Sequence, residues 1–285
     1  MWYFPKKTGK FKRKEVALLS KEYTKNDAIL AKKKAFKKLN TLLESFINKP
    51  LPTNDKEVNY VKKAILISKW IEQYVNYISF EEKFDPAKNI NYKRGDIVFV
   101  NFGFGVGSEF GGSHYAAVLD KNNKHSASSI TVIPLSSYKN TEVYDRDVYL
   151  GNELYEKMQL KLKTQTIHLR DAYTSNSLLL KLLQEKIDIP DKSDSNYEEI
   201  DQLIQELNIK QNLLSLEISD AERIRSELEN LKQGSVAKIE QIRTISKMRI
   251  YNPKNTRDPL YGIRFSESTM KKINSKIKEL YIFEE

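Results

Sequence analysis

The sequence has no cysteine and only three histidines among its 285 residues. Without cysteine the chain can form neither a disulfide framework nor a thiolate metal site, so a reducing compartment is the simpler expectation. No apolar run approaches the roughly 18 residues that cross a bilayer, and the start, MWYFPKKTGK, has no apolar stretch of the kind found in secretory signals. We therefore expect a cytoplasmic protein without a membrane span.

Acidic residues are scarce in residues 1–49, which hold 14 Lys and Arg against four Asp and Glu. The formal charge of +10 arises entirely there, because the two signs balance in the remainder. Such a segment attracts phosphates and releases counterions when nucleic acid binds, but it can equally be a solvated tail or helix face. The densest block comprises Lys6, Lys7, Lys10, Lys12, Arg13 and Lys14.

Two N-terminal segments have apolar residues every three or four positions, and they predict amphipathic helices. The first runs from Asn26 to about Asn48, where two prolines end it, and the second runs from about Asp55 to Phe84. We expect the two helices to pack as a hairpin within a basic helical region, residues 1–91. The expected buried stripe of the first helix comprises Ile29, Leu30, Phe36, Leu39, Leu42, Leu43, Phe46 and Ile47, and that of the second comprises Val58, Val61, Ile65, Ile67, Trp70, Ile71, Tyr74, Val75 and Ile78.

Glycine is also scarce, and five of the ten glycines lie in one loop, residues 103–112. Before this loop the apolar pattern changes to an alternation at Asp96–Phe102, which predicts a β-strand. Further strands are predicted at Tyr115–Leu119, Ile130–Leu135 and Asp147–Leu150. A β-domain therefore begins at about residue 92.

Helical periodicity returns after Gly151 and continues to about Lys232. It predicts an antiparallel helical arm, residues 151–233, with a turn at about Pro190–Asn196 and a coiled-coil seam in its second helix. Strand patterning resumes at Ser235–Gln241, so we expect an α+β protein in which residues 92–150 and 234–285 form one domain that the arm interrupts. The seam is predicted from Ile200, Ile204, Leu207, Gln211, Leu214, Ile218, Ala221, Arg225, Leu228 and Leu231.

Two separate motifs resemble the MazF/PemK family of toxins. The segments KRGDIVFVNFGFGVGSEFGGSHYAAVL and ITVIPLSS resemble the family's opening strands and its G-S-E-Q-G-G loop. Beyond the arm, GSVAKIEQIRTISKMRI resembles the late strand with its Q-x-R-T-I-D motif, and YGIRFSESTMKKINSKIKELY resembles the closing strand and terminal helix. The order of these motifs matches a whole family domain.

The resemblance implies an SH3-like β-barrel that forms a homodimer, is neutralised by a cognate antitoxin and cuts single-stranded RNA without a metal or other cofactor. Cleavage of this kind uses the substrate's own 2′-hydroxyl as the nucleophile. It needs a base, an acid for the leaving oxygen and hydrogen-bond donors for the charged phosphorane.

Carried over by position, the family's catalytic arginine falls on His114. Histidine suits proton transfer at neutral pH but lacks the permanent positive charge of arginine, so a degenerate site in which His114 only packs is the alternative. The phosphate-binding hydroxyl falls on Ser136, with Ser137 beside it. Lys238 and Glu240 fall on an arginine and an aspartate that share one face of a strand, although a cross-strand ion pair would also explain them.

The resemblance also implies RNA contacts outside this set. Ser108 and Glu109 match the loop motif, while Phe110 replaces its glutamine and is expected to be an exposed ring that stacks on a base or docks on a partner. Arg94 matches the first strand and is a candidate for phosphate contact. Arg243 matches the late motif, where it organises the strand end and a dimer surface or contacts RNA.

The sequence therefore predicts an endoribonuclease toxin or defence effector. The alternative is a catalytically degenerate descendant that binds nucleic acid or a protein partner. A gyrase poison on the same fold is less favoured, because the loop and late-strand motifs resemble those of the RNA-cleaving members. The other two histidines, His125 and His168, are expected to have ordinary surface roles.

Overall fold

The computed structural model describes residues 23–54, 57–139, 143–188 and 194–282 and combines helices with one antiparallel sheet. The basic block Lys6–Lys14 and most of the predicted turn at Pro190–Asn196 lie outside the described residues. The helices are α1 (Lys25–Ile47), α2 (Tyr60–Phe80), α3 (Glu153–Ile187), α4 (Asp194–Asn230) and α5 (Glu267–Tyr281). The strands are β1 (Ile97–Asn101), β2 (Ser113–Val118), β3 (Ser129–Ser137), β4 (Asp147–Gly151), β5 (Ser235–Lys238), β6 (Arg243–Ser246) and β7 (Ile250–Asn252).

The chain forms two compact units that divide between Glu72 and Gln73. Across the described ranges, no helix is both long and apolar enough to cross a membrane. Short 3-10 helices occupy Glu81–Lys83, Pro86–Lys88, Ile239–Gln241 and Lys247–Arg249.

In the first unit, α1 begins with a capping box, in which the Thr24 hydroxyl accepts from the Asp27 N–H at 3.2 Å and the Asp27 carboxylate accepts from Thr24. The expected buried stripe is mostly wrong here: Ile29, Leu30 and Phe36 are 46–66% exposed, whereas Leu39, Leu43 and Phe46 are partly buried. A helical repeat shows which residues share a face, but it does not show that another element covers that face.

The second helix begins about five residues later than predicted, because Asn59 caps it and accepts from the Lys62 N–H at 2.8 Å. Within the first unit, the Phe46 and Tyr60 rings meet at 5.2 Å between centroids, beside the turn that joins the helices. Among the described residues of this unit, the two helices do not pack along their length, so the predicted hairpin packing is not formed.

The sheet of the second unit has the strand order β4-β5-β3-β2-β1-β7, with β6 also paired to β3. Strands from beyond the helices pair with early ones: β5 with β3, and β7 with β1. The predicted barrel is not closed among the described strands, because β4 and β7 remain at opposite ends of this order. The expected closing strand around Arg264 contributes only one bridge, with Asp96, because the preceding residues 258–263 coil through successive turns.

Each face of the sheet has its own apolar cluster, as strand alternation requires. One cluster joins Ile97 and Ile133 to Leu154 and Met158 of α3 and to Ile273 of α5. The other contains Tyr92, Val98, Val100, Ala116 and Val132, together with the partly buried Phe110. Neighbouring residues of one strand therefore serve different clusters.

The helices α3 and α4 pack against each other as an antiparallel pair, called the arm below. Gln165 donates to Glu217 at 3.1 Å, and Lys210 donates to Ser175 at 3.2 Å, so the sequence numbers run in opposite directions along the pair. These polar contacts correct part of the predicted seam. Five seam residues lie on the buried side as expected, namely Leu207, Leu214, Ala221, Leu228 and Leu231. Four others are exposed, namely Ile204, Gln211, Ile218 and Arg225. The residue that precedes each of these four is more buried, namely Leu203, Lys210, Glu217 and Ile224.

The base of the arm is bonded to the loop that precedes α5. Lys161 of α3 donates to the carbonyls of Asp258, Pro259 and Tyr261 at 3.2, 2.8 and 2.8 Å. Arg223 of α4 pairs with the Asp258 carboxylate at 2.6 Å. Both helices are therefore fixed to the same loop.

Candidate active site

A cleft opens where β2 and β3 separate. The two strands pair from Ala116 to Val118, whereas residues 113–115 pair with β1 alone and residues 135–137 pair with β5. The resulting cavity has a volume of about 940 Å³. Its lining comes from the diverging strand ends, β4, the junction between α4 and β5, and four residues between β3 and β4, namely Tyr138, Lys139, Val143 and Tyr144.

Strand alternation sorts the lining residues by face. Tyr115 packs on the cluster that contains Leu135, so both point to the face covered by α3. His114 and Ser136, the next residues along these strands, point to the other face. The cleft is thus a slot between two strands, and His114, Ser136, Ser137 and Lys238 all line it.

His114 is half-buried, and its ring lies 4.4 Å from that of Phe110 between centroids. Burial lowers the pKa of His114 below its usual value of 6.5, while a hydrogen bond to the Gly111 backbone acts in the opposite direction. The ring is therefore neutral at pH 7. In this state it can accept a proton, but it does not supply the positive charge of an arginine.

Lys238 and Glu240 do not share a strand face, which corrects the prediction. The strand β5 ends at Lys238, and Glu240 belongs to the 3-10 helix that follows. Lys238 pairs with Asp147 at 2.5 Å inside the cleft, whereas Glu240 pairs with Arg146 at 2.6 Å and does not line it. The turn rotates Glu240 away, because a 3-10 helix breaks the two-residue repeat of a strand.

The glycine-dense loop lies beside the cleft without lining it. Phe110 is not the exposed ring that was expected, because it packs edge-on against Phe102 at 5.7 Å as well as against His114. Its N–H donates to Gln241 at 2.9 Å, which ties the loop to the late motif. Ser108 is exposed, and the Glu109 carboxylate accepts from the Val106 N–H at 3.0 Å, so it shapes the loop.

The two arginines of the predicted RNA contacts have structural partners. Arg94 donates to the carbonyl of Leu119 and to the Asn274 side chain, so its guanidinium fixes α5 to the sheet. The Arg243 guanidinium lies 5.5 Å from the centroid of the Phe102 ring. These contacts give both residues a role in the fold.

Neither of the other histidines lines the cleft. The His125 ring nitrogen Nε2 lies 2.6 Å from the carbonyl of Asn89, and His168 is exposed on α3. Within the part of the chain that the structure describes, no group of three His, Asp or Glu side chains is placed to hold a metal ion.

The structure adds residues to the cleft that the motifs did not indicate. Tyr115 donates a hydrogen bond to Glu227 of α4, 112 positions along the chain, and burial together with this carboxylate raises the Tyr115 pKa. Lys139, Tyr144 and Lys232 line the cleft as well. No motif marks these residues, and the contact with α4 has no sequence signal.

Comparison with known proteins agrees with this part of the fold. No curated protein matches the chain. A family model, described as PemK-like, MazF-like toxin of type II toxin-antitoxin system, matches residues 93–207, which include β1 to β4 with His114 and Ser136. Residues 93–207 of the chain therefore match the PemK-like, MazF-like toxin family.

Proposed function

We propose that this protein is a toxin endoribonuclease that cuts single-stranded RNA in the cleft between β2 and β3. His114 accepts the proton of the substrate's 2′-hydroxyl as its oxygen forms a bond to the adjacent phosphorus. The bond from phosphorus to the 5′-oxygen breaks, and Lys238 supplies a proton to the leaving oxygen. The products are a 2′,3′-cyclic phosphate and a 5′-hydroxyl.

The observation that carries this proposal is the placement of His114 and Ser136 on one face of the slot, with Lys238 lining the same cleft. The Ser136 hydroxyl can donate to a phosphate oxygen while the neutral imidazole accepts a proton. No step of this route calls for a metal. The family match supports the same class of reaction, because it covers both strands that supply His114 and Ser136.

The test is incubation of purified protein with defined single-stranded RNA in EDTA, followed by mapping of the new termini. His114→Ala should lose roughly 10²- to 10⁴-fold in cleavage rate. His168→Ala is the matched control, because His168 is exposed on the arm. Equal cleavage by wild type and His114→Ala would remove this histidine from the mechanism.

The pH dependence gives a second test. A base must be unprotonated, so kcat/KM should fall as pH decreases through the His114 pKa. Burial lowers this pKa, so the acid limb should lie below pH 6.5. A limb at or above that value would contradict the assignment of His114 as a buried base.

A second candidate is a degenerate module that binds RNA or protein without cleaving. Two features favour it: burial lowers the His114 pKa and so favours the neutral ring, and Asp147 pairs with Lys238, so the family arginine's charge is not replaced at this point. The variant His114→Arg discriminates. If wild type is inert on every RNA tried and His114→Arg gains activity, the degenerate function is correct.

We further infer that residues 92–150 and 234–285 form one domain and that residues 151–233 are an insertion into it. The pairing of β5 with β3 and of β7 with β1 supports this division, since the loop-closure cost of a long insertion grows only logarithmically. The remaining proposals are a cytoplasmic homodimer, a cognate antitoxin that blocks it, and a coiled-coil arm. Size-exclusion chromatography with light scattering tests the dimer.

A further inference from the structure

One wall of the cleft combines tyrosine and lysine side chains from the segment after β3 and the segment after α4. We propose that this wall is a nucleotide subsite, in which Tyr144 stacks on a base of the RNA and Lys139 and Lys232 bind a backbone phosphate. The identity of the ligand as RNA rests on the proposed function. The subsite would hold the nucleotide next to the cleaved bond, because it lines the same cleft as His114.

The backbone brings the two lysines together. The last pair of the β3–β5 ladder is Ser137 with Ser235. The Tyr138 backbone N–H extends the ladder by donating to the Gly234 carbonyl at 3.0 Å. Lys139 follows Tyr138 directly, Lys232 lies two residues before Gly234, and both line the cleft. Two ammonium groups from neighbouring segments at one opening form a place for an anion.

Both lysines are exposed, and the described residues include no carboxylate that pairs with either of them. The carboxylates in the lining have other partners. Asp147 pairs with Lys238 at 2.5 Å, and Glu227 is bonded to Tyr115. The positive charge at this end of the cleft is therefore available to a ligand.

Tyr144 is 77% exposed although it lies at the cleft wall. The Lys238 ammonium lies 5.6 Å from the centroid of its ring, and the Tyr138 and Tyr149 rings meet nearby at 4.6 Å. Exposed aromatic rings in a groove that also carries lysines are the means by which single-strand binders hold bases and phosphates. An acidic protein segment would use the lysines but would gain little from the ring, so RNA is the ligand that the wall favours.

The experiment measures the Kd of a labelled single-stranded RNA with 2′-O-methyl riboses, which lacks the nucleophile and remains intact. Fluorescence anisotropy at several salt concentrations gives the slope of log K against log salt. Lys139→Gln/Lys232→Gln should reduce this slope by about 0.7, since the pair binds one phosphate and each phosphate contact to a single strand contributes about 0.7. The matched control is Lys121→Gln/Lys272→Gln, which removes the same charge at exposed positions outside the cleft.

The ring is tested in the same assay. Tyr144→Ala should weaken binding roughly 5- to 150-fold, whereas Tyr144→Phe should bind like wild type because stacking needs only the ring. Tyr281→Ala, at an exposed tyrosine of α5, is the control. Poly-glutamate should compete poorly.

The outcomes of these assays separate the subsite from the proposed cleavage. An unchanged slope, an equal loss in the control pair or strong competition by poly-glutamate would overturn the subsite. If the predicted effects occur but unmodified RNA is never cut, the subsite stands and the proposed cleavage fails. If unmodified RNA is cut and the wall variants bind normally, cleavage stands and the subsite fails.

Discussion

Gly234 holds the cleft wall in place by its lack of a side chain. Its φ is +77°, and a Cβ added there would lie 2.7 Å from the Cβ of Tyr138. Gly151 is the matched control, because its φ is +71° but no atom lies within 4 Å of an added Cβ. Alanine at either position adopts an unfavourable backbone conformation, whereas only Gly234→Ala also displaces Tyr138.

The expected magnitudes follow from these two terms. A side chain in the left-handed region costs about 1–2 kcal/mol, which is the whole expected effect of Gly151→Ala. Displacing a packed neighbour adds about 1–3 kcal/mol, so Gly234→Ala should lose about 2–5 kcal/mol of unfolding free energy. Urea unfolding followed by tyrosine circular dichroism measures both variants, provided that the denaturant slopes agree.

The binding assay supplies the second half of the test. Gly234→Ala should weaken binding of 2′-O-methyl RNA under native conditions because Tyr138 and the adjoining Lys139 move, whereas Gly151→Ala should not. Equal destabilisation by the two variants would refute the steric argument. Normal RNA binding by Gly234→Ala would show that the position of Tyr138 does not matter for the cleft.

Three further changes test other contacts. Asp147→Asn leaves Lys238 without its carboxylate, so the unfolding free energy measured in urea should fall by about 1–3 kcal/mol. The slope of log K for RNA binding against log salt should become steeper by about 0.7, and an unchanged slope would show that Lys238 does not contact a phosphate. Glu227→Gln should lower the Tyr115 pKa in an ultraviolet titration, because a nearby negative charge raises it; no change would remove this carboxylate as a cause. Three lysines of α1 line a shallow groove, namely Lys34, Lys37 and Lys38. Replacing all three by glutamine should reduce the salt slope of RNA binding by about 2, and an unchanged slope would show that they form a solvated face.

Local patterns predicted the elements of the sheet well. The strands around Val98, Ala117 and Ile133 lie within a few residues of their predicted bounds, because alternation and turn residues are local signals. The same signals failed at Glu240, where a single turn of 3-10 helix changes the direction of the side chain. They failed again near Arg264, where turns reduce an expected strand to one bridge.

Local motifs also predicted part of the candidate site and missed the rest. His114 and Ser136 were predicted because each lies within a short motif, and both line the cleft. Glu227 was missed because its contact with Tyr115 joins residues 112 positions apart, and helical periodicity does not specify which residues the end of a helix meets. The exposed stripe of α1 shows the converse error, since an apolar face was assumed to have a partner.

The arm connects the cleft to positions far from it. Its first helix has 35 residues, which corresponds to a length of roughly 50 Å. The base is bonded through Lys161 and Arg223, and Glu227 on the same α4 forms part of the cleft wall. A rotation of about 5° at the base would move the far end by about 4 Å, while the wall itself would shift by only a small fraction of that distance. A spectroscopic label on the far end of α3 would thus report small changes in cleft width as larger displacements. A ligand that binds this end would exert a torque on the base of the arm and hence a force on the cleft wall.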